Sequence, residues 1–349
     1  MMWRDDSILK MYDEGERAAE RENMETVAAT GSGLVVALAG GVGGAKLSHG
    51  LALNGLEERL CVIVNTGDDF TLYGLHISPD LDTVLYTLAG IANPQTGWGI
   101  LGDTDHTLRM IGRYGRETWF WLGDRDLATH ILRTERLRAG ARLTDVTAEL
   151  AAALGVRARI LPMCDEAVPT IVETPTGSLP FQDYFVRRRQ KDTVVGVRFG
   201  GIERARPTPE VLAALDAAAV VVLCPSNPIV SIGPIVAVPG LRERLRALHV
   251  PIVAVSPIVA GQALKGPADR MLATLGHEVS PRGVARLYAD FLDGIVIDNQ
   301  DAALAPAIEQ LGIAVHVTDT VMRFEADRQR LAAETLAFAE RLGKRVEQG

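Results

Sequence analysis

Short apolar runs alternate with stretches of helical spacing along the chain from residue 34 onward. The runs are rich in β-branched residues, which is typical of strands covered on both faces. The six predicted strands are LVVALA (34–39), LCVIVN (60–65), VVVLCP (220–225), PIVAVS (251–256), GIVID (294–298) and AVHVTD (314–319). Helices are predicted between strands at 209–218, 267–276 and 301–312. This alternation predicts an α/β fold with a doubly wound parallel sheet.

The remaining segments define the predicted domain organisation. Residues 1–32 are rich in charge and have no strand pattern, so we expect a solvated arm or a short helix there. Residues 33–330 form one predicted domain, which is followed by a C-terminal helix at 331–349. Within the domain, residues 79–157 have a helical pattern and predict a mainly helical insertion after the second strand. Residues 158–199 have the pattern of additional strands joined by a TPTG turn.

The composition limits the classes of function. The chain has 349 residues, 47% of them hydrophobic, so it is long enough to bury a full core. Its net charge of −8 argues against a binding surface for nucleic acid or for an anionic membrane. The sequence has no apolar stretch of membrane-spanning length and no secretory signal, so we expect a cytoplasmic protein.

A glycine-rich loop follows the first predicted strand, with Gly40, Gly41, Gly43 and Gly44 ahead of Lys46. Its spacing does not fit the dinucleotide loop G-x-G-x-x-G, whose third glycine falls on Lys46, and it does not fit a Walker A loop. Clustered glycines still allow backbone N–H groups and the start of a helix to approach an anion. Lys46 is either a phosphate contact or a surface lysine, and the sequence leaves both interpretations open.

Polar turns also follow other predicted strands, at 65–69, at 225–228 and at 256–257. Each turn alone is explained by helix capping or by closure of a strand–helix corner. In an open parallel sheet, however, ligands bind beyond the carboxyl ends of the strands. The turns together therefore predict a binding site at this edge, with Ser226 and Asn227 as candidate hydrogen-bonding residues.

Four carboxylates lie within a short span after the second predicted strand, namely Asp68, Asp69, Asp80 and Asp82. Carboxylates early in a helix also complement the helix dipole, which accounts for one of them. Mg²⁺ is commonly bound by one or two carboxylates together with phosphate oxygens and water. We therefore predict a magnesium site beside the glycine loop, with Asp68 and Asp82 as the favoured ligands.

Eight motifs occur in an order that resembles one known family from Leu34 to about Arg330. They are AGGVGGAKL, NTGDD, SPDLDTVLYTLAG, GWGI, LGDRDLATHILRT, PSNPIVSIGPI, SPIVAGQALKGPADRM and IDNQD. On these motifs the chain resembles the CofD family, the 2-phospho-L-lactate transferases of coenzyme F-420 biosynthesis.

The resemblance implies a Rossmann-like transferase with a helical insertion, which is commonly a homodimer. The family transfers a phosphorylated three-carbon acid from a guanosine diphosphate-linked donor to the ribityl hydroxyl of the deazaflavin Fo, and GMP leaves. The acid is 2-phospho-L-lactate in archaeal members and phosphoenolpyruvate in many bacterial ones. The sequence leaves open whether this chain uses lactate, enolpyruvate or glycerate.

The resemblance also implies roles for particular residues. Asp68 and Asp82 correspond to the catalytic and Mg²⁺-binding carboxylates, and Asp82 is also a candidate Fo contact. The glycine loop with Ser226 and Asn227 corresponds to the site for the guanosine diphosphate donor. A second Fo contact falls on Trp121, where relatives often have Lys or Arg. An indole there either stacks on the deazaflavin ring or belongs to the core.

Three other functions compete with the transferase. A YvcK-like gluconeogenesis factor would bind a nucleotide-sugar as a regulator, but such proteins are expected to have a more glycine-rich segment after their aspartates than DDFTLYGLHISPD. A nicotinamide-dependent oxidoreductase requires an intact G-x-G-x-x-G, and Lys46 interrupts it. A deazaflavin carrier without turnover differs from the transferase only in an assay.

Overall fold

The structure is a computed structural model that describes residues 33–346, and the predicted N-terminal arm lies outside the described residues. It contains fourteen strands in the described range. They are β1 Leu34–Ala39, β2 Leu60–Val64, β3 Phe70–Leu72, β4 Leu75–Ile77, β5 Arg159–Pro162, β6 Thr170–Thr174, β7 Gly177–Pro180, β8 Gly196–Phe199, β9 Ala218–Leu223, β10 Ile252–Val255, β11 Ile258–Val259, β12 Gln262–Ala263, β13 Gly294–Asp298 and β14 Ala314–Thr318.

Twelve α-helices occur in the same range. They are α1 Gly41–Leu51, α2 Pro79–Leu88, α3 His106–Arg113, α4 Asp124–Arg138, α5 Leu143–Ala153, α6 Pro209–Asp216, α7 Ile232–Ala237, α8 Leu241–Arg246, α9 Ala268–Thr274, α10 Pro281–Tyr288, α11 Ala305–Glu309 and α12 Glu325–Val346. Shorter 3₁₀ or π-helical turns cover Ala52–Leu56, Glu57–Arg59, Asp183–Arg187, Ile202–Arg204 and Asn299–Leu304. None of these helices combines the length and the apolar character needed to cross a membrane.

Seven parallel strands form the central sheet, in the order β14-β13-β10-β9-β1-β2-β5. The chain runs outward from β1 to β2 and β5 on one side, and from β9 to β10, β13 and β14 on the other. β1 and β9 therefore flank the point where the strand order reverses, which is the usual position of a ligand crevice. The α/β doubly wound prediction is confirmed.

The strand residues alternate between two cores, one on each face of the sheet. In β1, Val36 and Leu38 pack into one core, with residues of α6, α7, α8 and α10. Val35, Ala37 and Ala39 pack into the other core, with residues of α1, α2 and α12. Because successive side chains of a strand point to opposite faces, a fully apolar strand needs helices on both sides.

The segment at 158–199 differs from the expected run of strands. Its first part, β5, is the edge strand of the central sheet, whereas β6, β7 and β8 form a separate antiparallel sheet. The following residues Asp183–Arg187 form a π-helical turn. Phe181 and Tyr184, three positions apart, are both buried in a small core against Val172 and Met271, so helical spacing matches the burial better than strand spacing.

A two-stranded hairpin of β3 and β4 precedes the helical segment and was not predicted from the sequence. Its turn residues Tyr73 and Gly74 both have positive φ, 52° and 78°. Two positive φ angles are the geometry of a type I′ hairpin turn, for which Asn-Gly and Asp-Gly are the usual sequences. Tyr-Gly is a weaker signal. Helices α2 to α5 follow, between β4 and β5.

Candidate active site

A cavity of about 600 Å³ lies at the carboxyl ends of β1, β2 and β9. It is bounded by the glycine loop, by α2 and α4, and by the segments that follow β7 and β9. The predicted residues that line it are Gly40, Gly41, Gly43, Asp68, Asp82, Trp121, Ser226 and Asn227. Gly44 and Lys46 are not part of the lining. The cavity therefore brings together eight of the ten predicted positions.

The glycine loop is packed tightly against its neighbours. A Cβ atom on Gly43 would lie 2.2 Å from the carbonyl oxygen of Pro225, and one on Gly40 would lie 2.6 Å from Asp80 Oδ2. A Cβ on Gly44 would lie 2.7 Å from the hydroxyl of Ser226. The loop therefore requires glycine for close packing, and its approach brings the N-terminus of α1 to the cavity wall.

Two residues after β9 hold the opposite side of this loop. The Ser226 hydroxyl accepts a hydrogen bond from the N–H of Gly40 at 3.1 Å. Asn227 Oδ1 accepts hydrogen bonds from the N–H groups of Ile229, at 2.9 Å, and Val230, at 3.3 Å. Both side chains thus shape the turn and also face the cavity.

Lys46 points away from the cavity. Its ammonium group donates a 2.6 Å hydrogen bond to the carbonyl oxygen of Met322, just ahead of α12. Burial lowers its pKa, and the nearby Arg328 lowers it further. Lys46 follows Gly41 by five residues on α1, a rotation of about 140° around the helix axis, which turns the side chain toward α12.

Asp68 and Asp80 form a buried pair of like charge beside the glycine loop. Burial raises the pKa of Asp68 well above its usual range, and the charges of Asp80 and Asp69 raise it further. Burial also raises the pKa of Asp80, to about 6, although Asn65 donates a 2.9 Å hydrogen bond to it. Asp68 Oδ1 is buried and has no hydrogen-bond partner among the described residues. An unpartnered oxygen and two repelling carboxylates fit a hard divalent cation such as Mg²⁺.

Asp69 is held away from this cavity. Its Oδ2 accepts a hydrogen bond from the Ser78 hydroxyl at 2.7 Å and lies 2.9 Å from His76 Nε2. The side chain lines a second, smaller cavity of about 330 Å³, which shares Asp68 with the first.

Asp82 is paired with Arg133, a residue that the sequence did not point to. Both carboxylate oxygens face the guanidinium: Arg133 Nη1 donates to Oδ2 at 3.0 Å, and Nη2 donates to Oδ1. Both side chains are almost completely buried. Such a bidentate pair neutralises the carboxylate, so Asp82 has less charge available for a metal ion than Asp68 has.

Three further residues extend this network between α2 and α4. Tyr86 donates a 2.7 Å hydrogen bond from its hydroxyl to Asp126 Oδ1, and His130 Nε2 lies 3.3 Å from the same oxygen. His130 Nδ1 lies 3.4 Å from Arg133 Nη1. Asp126, His130 and Arg133 are spaced i, i+4 and i+7 on α4 and therefore share one face of the helix. That spacing is visible in the sequence, although by itself it is equally typical of a solvent-facing helix.

Aromatic residues supply much of the remaining lining. Trp121 is half-buried and meets Trp98 edge-on, with ring centroids 5.6 Å apart. Phe181 and Phe185, from the segment after β7, are stacked at 5.4 Å. Lys265 is the one lysine or arginine of the described residues in the lining, and its ammonium donates to the Thr96 carbonyl at 2.9 Å. A cavity lined by flat aromatic side chains and by aspartates suits a ligand with a planar ring and polar groups.

The fold has counterparts among solved structures. The crystal structure of a UPF0052 family member from Bacillus halodurans matches with a TM-score of 0.57 and 16% sequence identity, covering 87% of this chain and 98% of that one. At this level of identity the likeness concerns the fold alone.

Sequence comparisons identify the family. The family model for CofD, 2-phospho-L-lactate transferase, matches residues 35–337. The 2-phospho-L-lactate transferase of Methanosarcina mazei is 43% identical over 298 residues, covering 85% of this chain and 98% of the relative. The phosphoenolpyruvate transferase of Kitasatospora aureofaciens is 41% identical over 315 residues, covering 88% and 98%. The chain therefore belongs to the CofD family of 2-phospho-L-lactate transferases and is an enzyme of the transferase class.

Proposed function

We propose that this enzyme transfers a phosphorylated three-carbon acid from a guanosine diphosphate-linked donor to the ribityl hydroxyl of Fo, with release of GMP, in coenzyme F-420 biosynthesis. The observation that supports this most directly is the single cavity in which the glycine loop, the buried carboxylates and the aromatic walls meet. Relatives named for 2-phospho-L-lactate and for phosphoenolpyruvate supply the two candidate acids.

We assign the donor diphosphate to the sheet edge of the cavity, by which we mean the glycine loop, Asp68, Asp80, Ser226 and Asn227. The first N–H groups of an α-helix have no acceptor within the helix, and they carry the positive end of its dipole. Gly41 and Gly43 present the start of α1 to the cavity without side chains. Ser226 and Asn227 add neutral polar groups on the neighbouring turn. These groups can bind an anion by hydrogen bonds. The loop can therefore bind a diphosphate without the sequence motif of an ATP-binding or NAD-binding loop.

We assign Mg²⁺ to Asp68, together with Asp80, because these two carboxylates lack a counter-cation. Asp82, the other predicted ligand, lines the same cavity but is held by Arg133. When bound, Mg²⁺ would offset the negative charge of the diphosphate and of the leaving GMP. The protein contributes mainly positioning and charge stabilisation, so the transfer needs no nucleophilic side chain.

We assign the acceptor to the helical side of the cavity, by which we mean Asp82, Tyr86, Trp98, Trp121, Asp126 and His130, together with Arg133 behind them. Trp121 and Trp98 offer faces and edges for a planar deazaflavin ring, and Asp82 on α2 lines the same cavity. An attacking hydroxyl on a flexible ribityl chain would then extend toward the sheet edge, where the donor phosphorus lies. We also propose that the enzyme is a cytoplasmic homodimer, in line with the family, and a molar mass from light scattering tests the dimer.

One experiment tests the reaction. The protein is incubated with Fo, Mg²⁺ and, separately, the guanylated forms of lactate, enolpyruvate and glycerate, and the products are identified by mass spectrometry. We expect an acid-phosphoryl-Fo product and GMP with one or more donors. Failure with all three donors contradicts the function, and binding of a nucleotide-sugar without turnover would favour a regulator instead.

A further inference from the structure

Four carboxylates line the cavity, Asp68, Asp80, Asp82 and Asp126, and their surroundings differ. Asp68 and Asp80 repel one another, and Arg133 occupies both oxygens of Asp82. Asp126 accepts no hydrogen bond from an arginine among the described residues, and a carboxylate oxygen of Asp126 lies within 4.8 Å of ligand atoms of Asp82 and His130. Nothing in the proposed reaction has yet used it.

The orientation of the Asp126 side chain is fixed. Its Oδ1 accepts the hydrogen bond from the Tyr86 hydroxyl at 2.7 Å, and its backbone N–H donates to Asp103 Oδ2 at 3.0 Å. Its Oδ2 accepts no hydrogen bond from the residues that the structure describes, although Asp126 is only 8% exposed. An oxygen without a donor, on a carboxylate that lines the cavity, is a site for a ligand's O–H or N–H group.

The contacts that the protein makes with the Asp126 carboxylate fall on one oxygen. Oδ1 accepts the hydrogen bond from Tyr86, and His130 Nε2 lies 3.3 Å from the same oxygen without hydrogen-bond geometry. Oδ2 is therefore the oxygen that remains for a ligand.

We propose that Asp126 Oδ2 accepts the hydrogen bond of the terminal ribityl hydroxyl of the acceptor and orients that oxygen toward the donor phosphorus. This inference rests on the proposed function. The phosphates and the acid group of the donor are anions, which a carboxylate repels, whereas the acceptor chain presents neutral hydroxyls. Asp126 lies in the first turn of α4, five residues after Trp121, so the acceptor's ring and its chain would bind to consecutive parts of the same segment.

Asp126→Asn tests the assignment because it reverses one hydrogen bond without changing the shape. The Tyr86 hydroxyl donates to Oδ1, so the amide places its oxygen at the Oδ1 position and its NH₂ group at the Oδ2 position. The ribityl hydroxyl then meets a donor where it needs an acceptor. We expect kcat/KM for Fo to fall about 100-fold, which is the effect of a misplaced reacting group. Affinity for GDP, measured by calorimetry, should stay within about 2-fold.

A substrate analogue makes the test specific. Wild-type enzyme should bind Fo about 10-fold more tightly than an Fo analogue that lacks the terminal ribityl hydroxyl, as for a hydrogen bond to a charged group. Asp126→Asn should remove this preference. Asp126→Ala, which a helix tolerates, should remove it as well and serves if the amide variant does not fold.

The outcomes separate this inference from the proposed function. Wild-type turnover tests the function, and the preference for Fo over the deoxy analogue tests Asp126. An unchanged preference in both variants overturns the assignment, and so does a loss confined to GDP, which would place guanine N–H groups at Asp126. Asp301→Asn is the matched control, because Asp301 is 7% exposed, accepts the Ala260 N–H and lies outside the cavity. It should retain wild-type activity and preference.

Discussion

The sheet edge and the helical side of the cavity are built from different kinds of group. At the sheet edge, backbone of the glycine loop lies beside Asp68 and Asp80, two carboxylates without a counter-cation. On the helical side, side chains of α2 and α4 form a network in which Arg133 balances Asp82. The carboxylates of the first region therefore lack a balancing cation, whereas Arg133 already supplies one to Asp82 in the second.

The two regions should therefore respond differently to Mg²⁺. A cation should act on the sheet edge, both on the stability of the protein and on the donor half of the reaction. Substitutions on the helical side should instead alter folding stability and acceptor binding, with little effect of Mg²⁺.

The largest effect is expected for Arg133→Met. It leaves Asp82 buried and without its partner, and loss of one member of a buried ion pair costs about 3–5 kcal/mol. Urea unfolding measures the loss, and added Mg²⁺ should restore little of it. The double variant Arg133→Met/Asp82→Leu should recover most of the stability. A single variant as stable as the wild type would mean that the helical side is not held by this pair.

Asp68→Asn should keep the fold and reduce kcat by about 100-fold or more, the size of effect seen when a group that stabilises transition-state charge is removed. Turnover at limiting Mg²⁺ measures it. Asp69→Asn is the matched control, because Asp69 is adjacent in sequence but contacts His76 and Ser78 and is not part of the main lining. Near-wild-type turnover of Asp68→Asn would remove Asp68 as a ligand.

The same division explains how much the sequence predicted. The sheet-edge residues follow their strands directly, so a correct strand pattern also located Asp68, Ser226 and the glycine loop at the cavity. The sequence left Lys46 open between a phosphate contact and a surface lysine. The helical phase of α1 turns its side chain to the carbonyl oxygen of Met322.

The helical side was harder to predict because its contacts join distant residues. Asp82 and Arg133 are 51 positions apart, and no local pattern indicates that side chains of α2 and α4 meet. The spacing of Asp126, His130 and Arg133 on α4 was visible, but a polar stripe on a helix normally faces solvent. Only the packing of the insertion turns that stripe into a buried network.

Asp80→Asn should stabilise the metal-free protein at neutral pH. The pKa of Asp80 is about 6 in the folded state, against 3.8 for an unperturbed aspartate, so the folded form binds more protons in this interval. The contribution of Asp80 to stability therefore falls as the pH rises from about 4 to 6 and is constant above that. The variant should gain about 2–3 kcal/mol over the wild type across this window.

Urea unfolding in EDTA at several pH values measures the difference between the two proteins. Added Mg²⁺ should reduce the advantage of the variant, because a bound cation relieves the same repulsion. A difference that does not change with pH would show that Asp80 carries no strain, and the contrast between the two regions would then lose its electrostatic basis.

The smallest effect is expected for Trp121→Ala, which asks whether the helical side binds the acceptor or only supports the fold. If the half-buried indole stacks on the deazaflavin, the variant should bind Fo more weakly by about 1–3 kcal/mol, with unchanged Tm and GDP affinity. Core packing predicts instead a destabilisation of about 3–5 kcal/mol. Calorimetric titrations with Fo and GDP, next to a thermal melt, distinguish the two. Equal weakening of Fo and GDP in a stable variant would contradict both, because the insertion would then close over the whole cavity.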